Sequence, residues 1–205
     1  MNSLKNYING VWVESVSSQT INVLNPASQE LLAKVPYGEE TAKDVALATQ
    51  AASEAFKEWR NVPVMKRVQA LYQLKTLMEN NIAELAEIIT NESGKTRAES
   101  IGEIQRAIEN VEVACGTPML IAGDFIEDIA SGIDEMMLRQ PVGVTACITP
   151  FNFPSMIVFW FLPYAIATGN AFIVKPSEKV PLTMMKIFEF IDQLNLPKGL
   201  VSLVH

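Results

Sequence analysis

Residues 141–181, PVGVTACITPFNFPSMIVFWFLPYAIATGNAFIVKPSEKVP, constrain what this chain can fold into more than any other stretch. Residues 142–148 form a short β-branched run ending at Thr149-Pro150, and residues 171–174 form a second, ending at Lys175-Pro176. Neither alternates apolar with polar positions, which predicts parallel strands buried on both faces. Between them Pro154 suits the first turn of a helix, and the segment to Ala167 is apolar almost all round, as a helix packed on a sheet is. Gly169-Asn170 stops it. A second helix is expected from about Pro181 to Leu194, and Leu196-Pro197-Lys198-Gly199 turns the chain into a third apolar run, residues 200–204. Strand, helix, strand, helix, strand is half of a doubly wound parallel sheet, an α/β architecture with right-handed crossovers and ligands beyond the carboxyl ends of its strands.

The polar residues gather at those ends. Thr149-Pro150-Phe151-Asn152-Phe153-Pro154 follows the first strand, and Lys175-Pro176-Ser177-Glu178-Lys179 follows the second. A lysine and a glutamate there offer a donor and an acceptor to the hydroxyls of a ribose. No G-x-G-x-x-G follows any strand, so the ordinary dinucleotide fingerprint is absent.

Composition narrows the class. A chain of 205 residues, 49% hydrophobic, is long enough to bury a sizeable core and reads as a soluble globular protein. Its net charge of −7, without any run of Lys or Arg, argues against nucleic acid as a partner. Residues 156–174 are apolar over a membrane-spanning length, but Pro163, Gly169 and Asn170 interrupt them, and a buried helix plus strand explains them better. The first fifteen or so residues lack the apolar core of a signal peptide, so a cytoplasmic protein is expected. Cys115 and Cys147 make neither a metal spacing nor a disulfide framework, and no metal is expected. Cys147 has no cationic neighbour in sequence to activate it as a nucleophile.

Upstream, residues 7–13 and 20–24 alternate around Asn9-Gly10 and read as short edge strands. Thr41 with Asp44 looks like a capping box for a helix through about Trp59. Pro63 opens the next helix, with Val68, Leu71, Leu74, Leu77 and Met78 at helical spacing, and Asn81 with Glu84 restarts it, carrying Leu85, Ile88 and Ile89. Glu92-Ser93-Gly94-Lys95-Thr96 tempts one towards a phosphate loop. Ile89 stands where the first glycine would be needed, and a helix rather than a strand precedes it, so Gly94 reads as a helix C-cap. A helix over 96–113 carries Glu99, Glu103, Glu109 and Glu112, expected to form a solvated face. Residues 119–140 read as short strands with turns at Gly123-Asp124 and Ser131-Gly132.

Pro141-Val142-Gly143-Val144, Ile148 through Pro154, Gly169-Asn170 and Lys175-Pro176-Ser177-Glu178 together resemble the aldehyde dehydrogenase superfamily, which binds NAD without the glycine fingerprint. The wording PFNFP, the helix with Trp160 and Pro163, and KPSE-K-VP are most similar to the coenzyme A-acylating methylmalonate-semialdehyde dehydrogenases. The resemblance implies that a cysteine thiolate attacks the aldehyde, that hydride passes to NAD, and that coenzyme A or water cleaves the resulting thioester. It implies oxyanion stabilisation by Asn152, a nicotinamide-side lining by Thr149 and Phe151, and ribose contacts by Lys175 and Glu178. Glu178 would repel a 2′-phosphate, favouring NAD over NADP. Lys179 stands where the acylating branch usually has arginine, keeping the charge but losing the planar fork. Arg106 matches the arginine that recognises a substrate carboxylate; its alternative is a surface pair with Glu103 or Glu109. The alternative for Asn152 is a cap on the helix at Pro154.

The same resemblance divides the chain into an N-terminal part of the NAD-binding domain (1–118), the start of a β oligomerisation arm (119–141) and the first half of the nucleotide-binding sheet (142–205). The nucleophile, the general base and the catalytic domain are absent, so the chain alone is expected to be inactive. Implied partners are a small aldehyde (methylmalonate or malonate semialdehyde), coenzyme A, and either further copies in a homo-oligomer or a complementary C-terminal half. The competing reading is a non-catalytic truncated or split-chain partner, or an NAD-binding or assembly module.

Overall fold

The structure, a computed structural model, describes residues 3–205. It opens with the hairpin β1 (Asn6–Ile8) and β2 (Val11–Val13), whose turn residues Asn9 and Gly10 both take positive φ, as a two-residue hairpin loop requires. A second antiparallel ribbon pairs β3 (Gln19–Leu24) with β4 (Leu31–Tyr37). β4 escapes the sequence reading. Its Pro36 argues against a strand, but both strands of a two-stranded ribbon are edges, and an edge tolerates proline.

Four helices follow: α1 (Ala42–Trp59), α2 (Val64–Asn80), α3 (Ile82–Ser93) and α4 (Arg97–Cys115). Their spans agree with the apolar spacing; two of their caps do not. Neither Thr41 nor Asn81 caps with its side chain. Thr41 Oγ1 donates back to the Gly38 carbonyl at 2.8 Å, and Asn81 Nδ2 donates to the Leu77 carbonyl at 2.7 Å. Asp44 is buried and accepts from Ser15 Oγ and the Val16 N–H instead. The capping box lies at Thr96 and Glu99. Gly94 ends α3 in the left-handed region at φ 76, as expected.

A single turn, α5 (Thr117–Leu120), leads into the hairpin β5 (Asp124–Ala130) and β6 (Ile133–Met137). The chain reverses at Ser131-Gly132 as predicted, whereas Gly123-Asp124 enters β5 rather than turning. A Cβ on Gly123 would collide with the Met137 carbonyl, so this glycine marks a close backbone approach.

The remaining elements are β7 (Val144–Ile148), α6 (Met156–Phe159), α7 (Leu162–Thr168), β8 (Ala171–Lys175), α8 (Leu182–Ile191) and β9 (Val201–Leu203). β7 pairs parallel with β8 and β8 with β9, and β1 adds antiparallel to β9, giving the order β2-β1-β9-β8-β7. The architecture is therefore α/β with a mixed, mainly parallel sheet, and the predicted strand–helix alternation is present. Two details differ. β7 is only half buried, with Ile148 81% exposed, because it is the sheet's edge and only β8 flanks it. The single apolar helix is two, broken at Trp160-Phe161: Pro163 lacks an N–H and is tolerated only in a first turn, so it begins α7. No helix among the described residues is long and apolar enough to cross a membrane.

α1 lies across β8 and touches β7, β9 and β1, while α7 packs on β8 and α2 on α4, α7 and α8. One core joins Leu71, Leu74, Ile104 and Phe159 to Val174, Phe188 and Leu203, so the early helices and the later sheet share a single apolar interior. Trp59 Nε1 closes the seam, donating to the Ile166 carbonyl at 2.9 Å. Gly169 ends α7 at φ 95 with the buried Arg67 guanidinium against it, and a Cβ there would overlap Arg67 Nη1.

Candidate functional site

The pairing of β7 with β8 sets Ile148 opposite Lys175, so the two polar loops leave the sheet side by side. Thr149 still belongs to the ladder, its N–H donating to the Lys175 carbonyl at 3.1 Å. Its buried Oγ1 has no partner among the described residues, which leaves an acceptor and a donor at the sheet's carboxyl edge. Lys175 Nζ donates to Glu178 Oε2 at 3.3 Å across the Pro176-Ser177 turn, both side chains being partly exposed. The Glu178 backbone N–H first, then Lys175 and Lys179 close by, hold the Glu178 carboxyl below its ordinary value. It is thus an ionised acceptor at neutral pH. Lys179 Nζ sits 4.8 Å from the centre of the Phe151 ring, a cation–π contact that ties the two loops together.

Lys175 and Glu178 open onto a cleft of about 890 Å³ whose opposite wall is the β3–β4 ribbon and the turn Tyr37 to Thr41. His205 also lines it. Burial, helped by the nearby Lys175 charge, depresses its imidazole to about 4, so it is neutral. Sequence reading assigned His205 no role. On the other side of Glu178 and Lys179, Phe151 shares a second cleft of about 580 Å³ with Ile21, Pro26 and Ser93.

Asn152 is exposed, and its side chain enters no hydrogen bond among the described residues. The capping alternative does not hold: α6 has no side-chain cap from its own loop. Its amides are taken from a distance, Glu103 Oε1 accepting from Ser155 N–H at 2.8 Å and from Met156 N–H at 3.2 Å. Glu103 is therefore a correction to the solvated acidic face. It is buried on the apolar side of α4 and paired with Lys95, whose Nζ also lies 4.1 Å from the centre of the Phe153 ring. Glu99, Glu109 and Glu112 do face solvent. Glu92 is a second buried carboxyl, accepting from the N–H groups of Leu182 at 2.6 Å and Thr183 at 3.0 Å and from Thr183 Oγ1.

Arg106 projects from α4 into solvent and bridges to Glu109 at 3.1 Å, one of the two surface pairs its helical position allows. It also lines a groove of about 600 Å³ with Lys95, Phe153, Met156 and Trp160. The guanidinium and the Asn152 loop therefore border one groove, while Lys175 and Glu178 serve another. An exposed ion pair of this kind is weak, and Arg106 is available to an anion entering the groove. Burial pushes the thiols of Cys115 and Cys147 up, leaving both as protonated, poor nucleophiles.

The chain is 46% identical over 203 residues to malonate-semialdehyde dehydrogenase 2 of Oceanobacillus iheyensis, covering 99% of this chain and 41% of that protein. Malonate-semialdehyde dehydrogenase of Bacillus subtilis is 46% identical over 202 residues, covering 98% and 41%. Among solved structures, methylmalonate-semialdehyde dehydrogenase from Oceanimonas doudoroffii superposes with a TM-score of 0.94 at 39% identity, covering all of this chain and 41% of the other. A Sinorhizobium meliloti protein solved with NAD gives 0.93 at 38% identity, again covering 100% and 41%. The chain thus spans about 41% of the length of these relatives. The aldehyde dehydrogenase family model matches residues 12–205, nearly the whole chain. With the two loops leaving adjacent parallel strands as that resemblance requires, this chain belongs to the aldehyde dehydrogenase family.

Proposed function

We propose that this chain is the N-terminal, coenzyme-binding part of an NAD-dependent semialdehyde dehydrogenase of the coenzyme A-acylating kind, acting on a small carboxylated aldehyde such as malonate or methylmalonate semialdehyde. The observation that carries the reading is the convergence of Thr149, Phe151, Lys175, Glu178 and Lys179 at the carboxyl ends of β7 and β8. That is where a doubly wound sheet receives its ligand. The donor and acceptor 3.3 Å apart fit the vicinal hydroxyls of a ribose, and the ionised Glu178 opposes a 2′-phosphate. NAD, when bound, would supply the oxidising power.

The chain's own residues would do the rest of the positioning. The Asn152 amide, unengaged, would donate to the oxygen on which negative charge develops. Arg106 would hold the substrate carboxylate by a two-pronged contact. Neither cysteine suits the attacking thiolate, so the chain by itself would bind coenzyme without turning over aldehyde. Residues 1–118 and 142–205 would form the coenzyme-binding unit, and 119–141 an arm for assembly.

Calorimetry on the chain tests the cofactor reading. NAD should bind more tightly than NADP, and Glu178→Ala should weaken NAD by about tenfold, the loss of a hydrogen bond to a charged group. Affinity indifferent to both Lys175→Ala and Glu178→Ala would sink it. The acylating reading is tested on the polypeptide isolated from its source cells, its intact mass determined first. NADH formation from methylmalonate semialdehyde should require coenzyme A; an equal rate without it would favour hydrolysis. The partner reading also has a specific observation in its favour, the fully exposed β5–β6 hairpin. Gel filtration showing a monomer that neither self-associates nor pairs would count against it.

A further inference from the structure

The turn Glu92-Ser93-Gly94-Lys95-Thr96 between α3 and α4 takes no part in the chemistry proposed above, yet buried carboxyl groups flank it. Glu92 and Glu103 are each 3% exposed, a placement that is costly unless the group is fully engaged. Each leaves its own helix to meet backbone amides just beyond one site loop. Glu103 takes Ser155 and Met156, directly after Phe151-Asn152-Phe153-Pro154. Glu92 takes Leu182 and Thr183, directly after Lys175 through Pro181.

Such opening amides need acceptors, and helices usually find them in a local Ser, Thr, Asn or Asp. At α6 the local candidates are Asn152 and Ser155, whereas α8 follows Pro181, which has no side-chain acceptor; neither helix has a side-chain cap of its own. Remote capping has a chemical consequence. Had Asn152 capped α6, its side chain would be turned onto the backbone; with Glu103 in that role it faces solvent. Lys95 strengthens the arrangement, since one ammonium both pairs with Glu103 and sits over Phe153 of the same loop.

We infer that Glu103 and Glu92 are positioning residues: Glu103, held by Lys95, fixes the 151–156 loop with the Asn152 amide free, and Glu92 fixes the 177–182 loop that carries Glu178. The α3–α4 hairpin thereby sets the two loops in register. The inference rests on the coenzyme reading only for what the loops hold; the clamp is a property of the free chain.

Amide hydrogen exchange on the whole chain without coenzyme tests it. Glu103→Ala should speed exchange at Ser155 and Met156 by about tenfold or more while Leu182 and Thr183 keep their protection, and Glu92→Ala should do the reverse. Glu103→Gln, which keeps the single oxygen that both amides use, should restore most of the protection, and Glu92→Gln, which keeps one of two accepting oxygens, should restore it at only one of Leu182 and Thr183. If an alanine variant does not fold, Lys95→Met serves instead, since it should loosen the 151–156 loop alone. Amides that ignore the loss of their carboxyl, or exchange that rises uniformly along the chain, would overturn the clamp. NAD titration of the same samples separates the two ideas. Wild type that binds no NAD would overturn the coenzyme reading, while loop-selective exchange would still establish the clamp.

Discussion

The sheet β7–β9 and the hairpin β5–β6 both present large apolar side chains, in the hairpin interleaved with five acidic residues, and they stand in opposite environments. Ala171 to Val174 of β8 are buried throughout, whereas every residue of β5 and β6 is exposed, including Phe125 at 64% and Met136 at 66%. The sheet is held by a core shared with seven helices, whereas no residue of the hairpin enters that core among the described residues, and its two strands are joined by their own backbone ladder. An isolated two-stranded hairpin is marginal in water. An apolar surface of this extent is the kind that marks an interaction site. The contrast teaches that apolar composition alone does not say where a strand's stability comes from.

The largest test of the contrast lies in the core. Phe188 is fully buried in α8 and stacks edge-on with Tyr7 of β1, linking the last helix to the first strand. Phe188→Ala should destabilise the chain by about 3–5 kcal/mol, the usual cost of an aromatic-sized cavity. Urea unfolding measures it, and a loss below about 1 kcal/mol would mean that the two ends are not one cooperative unit.

A smaller effect, and one that depends on pH, belongs to Glu92. Burial pushes its carboxyl up to about 7, against the pull of its bonds to Thr183 and Leu182 and aided by Glu103 nearby. A carboxyl whose affinity for a proton rises on folding adds stability below its ordinary value near 4.5, and that contribution disappears as pH rises through about 7. His205, depressed to about 4, acts in the opposite sense over the same range. The useful quantity is therefore wild type compared with Glu92→Gln, in which His205 cancels. Between pH 5 and pH 8 wild type should lose up to about 3 kcal/mol relative to the variant. A difference that does not change with pH would place the Glu92 carboxyl in the ordinary range.

Most of the fold is legible in the sequence because its elements are long or strongly patterned. The apolar spacing of α1 to α4 and the paired strand-plus-polar-loop units at 142–154 and 171–181 each point to one structure. What escaped reading was what depends on partners distant in the chain. Pro36 hides β4, because whether a proline is tolerated depends on which side of the strand is paired. Glu103 looked like part of a charged face, although it sits at the helical spacing of Ser100, Ile104, Ala107 and Val111, all buried. Glu92 likewise extends the row Leu85, Ile89. A charged residue on the apolar stripe was the available signal, and it was masked by the acidic neighbours on either side. The proposed site residues could be nominated from sequence because most of them belong to short, ordered motifs. Their division between the groove of Arg106 and the cleft of Lys175 needed coordinates.

Helix caps sharpen the comparison on a finer scale. Thr41-x-x-Asp44 and Thr96-x-x-Glu99 look alike in sequence, but only the second forms a reciprocal box, with Glu99 N–H donating to Thr96 Oγ1 at 3.3 Å and Thr96 N–H to Glu99 at 3.0 Å. Thr96→Ala should cost about 1 kcal/mol. Thr41→Ala should cost less, since it removes only the bond back to Gly38. Equal costs by chemical denaturation would show that the box adds nothing beyond local turn geometry.

The smallest expected effect bears most directly on the hairpin. Because Phe125 buries little within this chain, Phe125→Ser should change the urea midpoint by less than about 0.5 kcal/mol, the range of ordinary surface substitutions. The same change should reduce any self-association seen by sedimentation velocity, because it replaces a large apolar contact with a polar one on an exposed edge. If stability falls as far as it does for Phe188→Ala, the hairpin folds back onto the body in solution and the contrast fails. If neither stability nor association moves, Phe125 lies outside the contact surface, and the test passes to Ile129 and Met136 on the same ribbon.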